Sequence, residues 1–243
     1  MIELASEIRQ NLESVQNRIA RAAQSVHRKP EEVRLVVVTK SQPIEVAAAA
    51  IEAGASILGE NYADEGARKI EQLGKQPGLE WHMIGHIQSR KSRLVCQYFD
   101  AVHSLDSLYL AQRLDACAAE TPRVIPALLE FNLGGEESKS GWLAAEKDQW
   151  GKLIPEIEAI IQLDGLRLIG LMSMPPLEED PSASRPYFVK LRSLQDFLAT
   201  RFPQVQWKEL SMGTSADYEI AVEEGATMVR VGRAILGPRP AKQ

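Results

Sequence analysis

The chain has 243 residues, 44% hydrophobic and 25% charged, with 16 Gly, 13 Pro and 2 Cys, which excludes a disordered, collagen-like or disulfide-stapled chain. The longest apolar runs, at 35–38 and 46–51, fall far short of the roughly 20 residues that span a bilayer. The formal net charge of −5, from 28 Lys+Arg against 33 Asp+Glu with no long block of one sign, argues against a nucleic-acid surface. Glu3, Glu7, Arg9 and Glu13 interrupt any apolar leader. Cys96 and Cys117 are too far apart for a Cys-x-x-Cys pair. A reduced, cytoplasmic protein with no membrane, nucleic-acid or metal partner is expected.

Leu4, Ile8, Leu12, Val15, Ile19 and Val26 fall on one stripe, which predicts a helix over the first 27 residues, stopped by Pro30. A strand-then-helix rhythm follows. Strands are expected at 33–39, 56–58, 81–84, 101–103, 124–131, 166–172, 207–210 and 227–231. Helices fall between them, at about 43–53, 62–73, 89–97, 106–119, 143–162, 183–201 and 215–224. Pro43 stands near a helix start, and Gly54 and Gly225 where helices should end. The Pro-rich, acidic stretch 175–186 reads as one long surface connection. Eight alternating units in this length allow an open doubly wound sheet or a closed barrel, which typically takes about 250 residues. The strand count, and the lack of a Gly-rich fingerprint after the first strand, favour the barrel. The expected fold is a single (β/α)8 TIM barrel domain over 1–243, with an additional N-terminal helix at 1–28 packed on it.

In such a barrel, functional groups gather at the C-terminal ends of the strands. Those ends carry Lys40, Asn61, His86, Ser104, Asn132, Ser173, Ser211 with Gly213, and Arg230 with Gly232. Strand alternation puts Val36, Val38 and Lys40 on one face. An amine carried inward at an apolar strand end loses its proton more readily, as capture of a carbonyl requires; a lysine that simply snorkels to water at the rim has the same sequence signature. Ser211-Met-Gly-Thr-Ser215 and Gly232-Arg-Ala-Ile-Leu-Gly237 lie in the two loops where barrels frequently bind phosphate, although glycines there can merely close tight turns. Pro238 stands where a Walker loop has Lys. Arg230, inside Met-Val-Arg-Val-Gly, is expensive to bury unless a carboxylate or a ligand's ring nitrogen pairs with it. His82 and His86 lie roughly 13 Å apart on a strand, too far for one metal. Glu136, Glu137, Glu178, Glu179 and Asp180 read as solvated loop charges, and Trp142, Trp150 and Trp207 as packing.

Taken in order, these motifs resemble the pyridoxal phosphate homeostasis proteins, whose barrel is that of the alanine racemase N-terminal domain. The segments that carry the resemblance are Val36-Val-Val-Thr-Lys40, Leu58-Gly-Glu-Asn61, Trp81-His-Met-Ile-Gly-His-Ile-Gln-Ser-Arg-Lys91, Asn132 to Gly141, Gly170-Leu-Met172, Leu210-Ser-Met-Gly213 and Met228-Val-Arg-Val-Gly-Arg-Ala-Ile-Leu-Gly237. The resemblance implies pyridoxal 5′-phosphate held as a Schiff base on Lys40, with Arg230 at the pyridine nitrogen and Asn61 beside the ring. Ser211, Gly213, Gly232 and Arg233 would surround the phosphate. The chain departs from the family at Thr214, often Met, and at Ala216, often Asp.

The function so implied is a carrier that buffers the cofactor and supplies apo-enzymes without robust catalysis. An arginine, whose pKa lies above about 12, donates to a ring nitrogen without yielding its proton, which leaves a weak electron sink. The alternative is a slow amino-acid racemase, which needs acid and base groups on both faces of the substrate carbon. Racemases on this barrel add a second domain and dimerise. This chain ends at Gln243 with no room for that domain; a monomer is expected. Tyr62 and Tyr218 could substitute as a base or simply pack. Lys139 is either a second amine for hand-off or a solvated loop lysine.

Overall fold

Short runs of aliphatic and β-branched residues, each followed by a helix with one apolar face, set the architecture. The computed structural model describes residues 2–121, 123–136, 138–176 and 179–239; Glu137 and Glu178, expected as loop charges, lie outside the described residues. The strands are β1 (Arg34–Val38), β2 (Ile57–Glu60), β3 (Glu80–Met83), β4 (Ala101–Leu105), β5 (Ile125–Asn132), β6 (Trp142–Leu143), β7 (Leu166–Ser173), β8 (Glu209–Ser211) and β9 (Met228–Val231). Eight of them form a closed parallel barrel in the order β1-β2-β3-β4-β5-β7-β8-β9. The last returns to the first with Val36 opposite Arg230, and β4 meets β5 with Val102 opposite Ala127. The eight expected strands are all present. The ninth, β6, is a two-residue addition to the end of β5, with Phe131 opposite Trp142.

The helices are α1 (Ile2–Ser25), α2 (Ile44–Glu52), α3 (Ala63–Leu73), α4 (Ser92–Tyr98), α5 (Leu108–Ala118), α6 (Ile154–Ile161), α7 (Arg185–Arg201), α8 (Tyr218–Glu223) and α9 (Arg233–Leu236). The helix expected over 143–162 is not continuous: 3₁₀ turns occupy Lys147–Leu153 and α6 starts only at Ile154. Pro155 accounts for the late start. Inside a longer helix its ring would clash with the carbonyl four residues back, whereas in the first turn it costs nothing.

Helix α1 packs on α2, α8 and α9, flanking the β9–β1 seam where first and last strands meet. It buries Ala5, Ile8, Leu12, Val15, Ile19, Ala22 and Ala23; Val26, counted in the stripe, lies past the helix end and is exposed. Polar ties hold the same seam. The Arg28 guanidinium donates to the carbonyls of Val222 and Ala226, Arg18 pairs with Glu219, and Asn11 Nδ2 donates to the Ile235 carbonyl. No helix among the described residues is long and apolar enough to cross a membrane.

Candidate cofactor site

A cavity of about 500 Å³ opens at the C-terminal ends of the strands. Its walls come from all round the ring: Lys40 after β1, Asn61 after β2, Glu130 on β5, Thr214 and Ser215 after β8, and Arg230, Gly232 and Arg233 on and after β9.

Lys40 is half-buried two residues past the end of β1. Burial, seconded by the charges of Arg239 and Arg230, holds its amine below the ordinary lysine range, and Glu60 pulls the other way. The residues on either side of it are clamped. Lys69, on α3 and almost fully buried, places Nζ 2.7 Å from the Thr39 carbonyl, from Glu60 Oε1 and from Glu65 Oε1. Thr39 Oγ1 donates to Glu60 Oε1, and the Ser41 amide donates to Glu65 Oε1, each at 2.7 Å. The chain is thus pinned at Thr39 and Ser41, while Lys40 Nζ has no salt-bridge partner among the described residues. Burial pushes the Glu60 carboxyl up despite Lys69.

Arg230 forms the floor. It is 4% exposed; Nη1 donates to Ser211 Oγ and Nη2 to the Ser173 carbonyl at 3.0 Å. Of the two partners weighed for a buried arginine, a direct carboxylate ion pair is absent among the described residues. Burial lowers the guanidinium to about 10, with Glu130 and Asp217 opposing, which is below the ordinary arginine range expected from sequence but leaves it charged at neutral pH.

The adjoining wall is a turn built around Gly213, whose carbonyl accepts from the Arg230 amide at 3.0 Å and whose φ of +88 and crowding (a Cβ would lie 2.5 Å from the Ala221 Cβ) admit no side chain. The turn delivers Thr214, Ser215 and Ala216 to the cavity. The Thr214 amide and hydroxyl both donate to Asp217 Oδ1, and the Gly232 amide donates to Ser215 Oγ at 3.3 Å. Gly232 passes so close to β1 that a Cβ there would sit 3.0 Å from the Val38 carbonyl. Beyond it the first amides of α9 have no intrahelical acceptor.

Of the residues singled out from sequence, Lys40, Asn61, His86, Asn132, Arg230, Gly232 and Arg233 meet in this cavity, whereas Ser104 and Ser173 are buried outside it. Ser211 and Gly213 do not line it. The Ser211 hydroxyl is fully buried behind Arg230, with His103 Nδ1 2.8 Å away, and Gly213 shapes the turn from behind. At the two departures, Thr214 directs its hydroxyl to Asp217 and Ala216 is exposed at the mouth. Tyr62 is exposed, Tyr218 is buried, and neither faces the cavity. Lys139 reaches the rim, paired with Glu136 and donating to the Met174 carbonyl.

Sequence reasoning missed Glu130. Burial and the nearby Asp106 push its carboxyl up to about 7 against the pull of Arg230 and His86, and its Oε2 has no partner among the described residues. The signal was alternation on β5, which puts Glu130 in phase with Asn132. His86 sits at the rim with Nδ1 2.9 Å from Asp106 Oδ2. Among the described residues no group of three or more His, Cys, Asp or Glu is placed to hold a metal.

The family model for the alanine racemase N-terminal domain matches residues 10–240. The pyridoxal phosphate homeostasis protein of Escherichia coli K12 is 42% identical over 240 residues, covering 96% of this chain and 97% of its own length. That of Vibrio alginolyticus is 40% identical over 237 residues, covering 96% and 98%. Among solved structures, PipY of Synechococcus elongatus PCC7942 with PLP bound superposes with a TM-score of 0.81 at 33% identity, over 95% of this chain and all of that one. An alanine racemase of Clostridium difficile 630 shares the fold alone, with a TM-score of 0.69 at 17% identity over 97% of this chain and 58% of that one. With whole-length identity to its relatives and an unbroken match to the barrel model, the chain belongs to the pyridoxal phosphate homeostasis protein family, built on the alanine racemase N-terminal domain.

Proposed function

We propose that this cavity holds pyridoxal 5′-phosphate on Lys40 and that the protein stores the cofactor and gives it up to apo-enzymes. The observation that carries this reading is the Lys40 amine, half desolvated and without a salt-bridge partner among the described residues, in a cavity it shares with Arg230 and Gly232. The names of the E. coli and Vibrio relatives, and the PLP-bound PipY structure, support it.

When bound, the cofactor supplies an aldehyde that amines capture reversibly. The chain's own groups suit that task. Burial of Lys40 raises the fraction of neutral, nucleophilic amine. Arg230 keeps its proton at neutral pH, so it offers a ring nitrogen a hydrogen bond and no proton. Gly232, Arg233 and Ser215 would hold the cofactor's phosphate and Asn61 would flank its ring, while Ser211 and Gly213 hold Arg230 and the turn from behind. With Arg230 rather than a carboxylic acid at the ring, strong electron withdrawal is not built in, which suits storage over turnover. A monomer acting in the cytoplasm completes this reading.

The test is the absorption spectrum of the protein with added pyridoxal phosphate, wild type beside Lys40→Ala. A shifted near-ultraviolet to visible band in wild type, lost in the variant, is expected; identical spectra for the two would overturn the assignment. A second reading, slow racemisation, rests on Glu130, a carboxyl near neutral pKa in the same cavity. Sustained deuterium exchange at an amino acid's α-carbon, abolished in Glu130→Gln, would favour it.

A further inference from the structure

Behind Arg230 a file of polar side chains crosses the barrel. Ser211 Oγ lies 2.8 Å from His103 Nδ1, His103 Nε2 lies 2.9 Å from His82 Nδ1, and His82 Nε2 lies 2.8 Å from Glu80 Oε2. Ser211, His103 and His82 are completely buried. The step from His103 on β4 to Ser211 on β8 joins strands that are not neighbours in the ring, so it runs through the barrel interior. Glu80 opens β3, at the far end from Lys40, and faces a second cavity of about 820 Å³ at the N-terminal ends of the strands.

We propose that Ser211, His103, His82 and Glu80 form a one-way hydrogen-bonded chain that positions Arg230 for its ligand, with both imidazoles fixed as Nε2–H tautomers. The proposal deepens the cofactor reading above and rests on it for the identity of that ligand. Donor and acceptor counting assigns every proton. A guanidinium only donates, so Ser211 Oγ accepts from Arg230 Nη1. The Ser211 hydroxyl proton then needs an acceptor, and His103 Nδ1 is the acceptor in reach among the described residues. Nδ1 is therefore unprotonated and Nε2 carries the hydrogen, donated to His82 Nδ1. His82 in turn carries its hydrogen on Nε2 and donates it to Glu80. Run the other way, with His103 Nδ1–H directed at Ser211, the serine proton would be stranded in a dry core, at a cost of roughly 1–3 kcal/mol. A doubly protonated His82 would force the same reversal. Burial, helped by the charges of Arg230 and Arg34, keeps His103 neutral, holding it well below the usual imidazole range.

The direction of the chain matters for Arg230. Each link polarises the next toward the Glu80 carboxylate, which strengthens Ser211 Oγ as an acceptor. With Nη2 on the Ser173 carbonyl, the guanidinium is held from two sides. Glu80 is itself held in the charged form by His82 and Arg34.

The experiment is long-range ¹H–¹⁵N NMR of the full-length protein labelled in histidine and arginine, first without any ligand. The exposed His27 and His86 are identified by His27→Gln and His86→Gln. His82 and His103 are expected to show protonated Nε2 and unprotonated Nδ1. The Arg230 side-chain signals should be slowly exchanging in wild type, exchange at least about tenfold faster in Ser211→Ala, and recover in Ser211→Thr; tenfold is the loss of one hydrogen bond to a charged group. Glu80→Gln, at a half-exposed position that leaves the fold intact, should mix the His82 tautomers, because an amide can donate as well as accept. An Nδ1-protonated imidazole at either position, or Arg230 signals indifferent to Ser211→Ala, overturns the proposal. Pyridoxal phosphate is then added. Faster release from Ser211→Ala supports the positioning role, and unchanged release overturns it. Failure of wild type to bind the cofactor, with the tautomers and Arg230 signals as expected, sinks the cofactor reading and leaves the chain standing.

Discussion

At Lys40 and Glu130 the same desolvation acts in opposite senses, disfavouring the charged form of each: the amine is driven down and the carboxyl up to about 7. The consequence for Glu130 can be measured without any ligand. Its folded-state pKa is raised, so the neutral carboxyl is the form the fold prefers. That contribution is whole below the ordinary value of 4.5 and is lost as pH rises through about 7. Glu130→Gln should therefore match wild type in stability near pH 4 and exceed it by up to about 3 kcal/mol above pH 8, the free-energy equivalent of a carboxyl raised from 4.5 to about 7. Urea unfolding across that range reads it, and a pH-independent difference sinks it. Lys69 is the converse case. Removing it strands the fully buried Glu60, so Lys69→Met should cost about 3–5 kcal/mol, much of it recovered by adding Glu60→Leu. If the double variant is as unstable as the single one, the clamp is not what holds the Lys40 segment.

At the level of elements, legibility followed length and local punctuation. The eight barrel strands could be read because most hold apolar residues in a short stretch set off by Gly, Pro or polar residues, between longer helical segments. β6, with two residues, and α9, with four, are too short to show a period. Of the helix expected over 143–162 only the part from Ile154 is α-helical, because apolar residues on both sides of Gly151 and Pro155 mimic one continuous face. Lys40 and Arg230 were legible for a related reason, since strand phase and a strand end fix where such a residue points. Glu130 hid in an apolar strand that reads as core. The Ser211–His103 contact was not readable at all, because it joins β8 to β4 across the interior and exists only once the ring has closed. Helix α1 was legible as a helix packed on the barrel but not as a clasp on the β9–β1 seam, since an apolar stripe gives the buried face and not the elements it meets. Leu12, 4% exposed on that stripe, gives the clasp a magnitude: Leu12→Ala should cost about 2–5 kcal/mol in chemical unfolding, and a loss under 1 kcal/mol would mean that α1 only rests on the barrel.

Across the whole molecule, the candidate site is a property of closure. Its walls come from β1, β2, β5, β8 and β9, so a ligand seated there ties the first strand to the last and is bound by the folded ring alone. Mass action then stabilises the entire barrel, by about 2.7 kcal/mol when free ligand stands at a hundredfold its dissociation constant. For a chain of this size that corresponds to roughly 5–10 °C in Tm. Adding pyridoxal phosphate should raise the Tm of wild type by this amount and leave Lys40→Ala nearly unmoved. The control is Leu12→Ala, on the buried face of α1 and not part of the cavity wall. Independent sites add, so that variant should start lower and gain the same increment. An equal gain in Lys40→Ala would place the ligand elsewhere than on Lys40. A diminished gain in Leu12→Ala would show that the α1 clasp and the cavity are energetically one unit, coupled through the β9–β1 seam on which both depend.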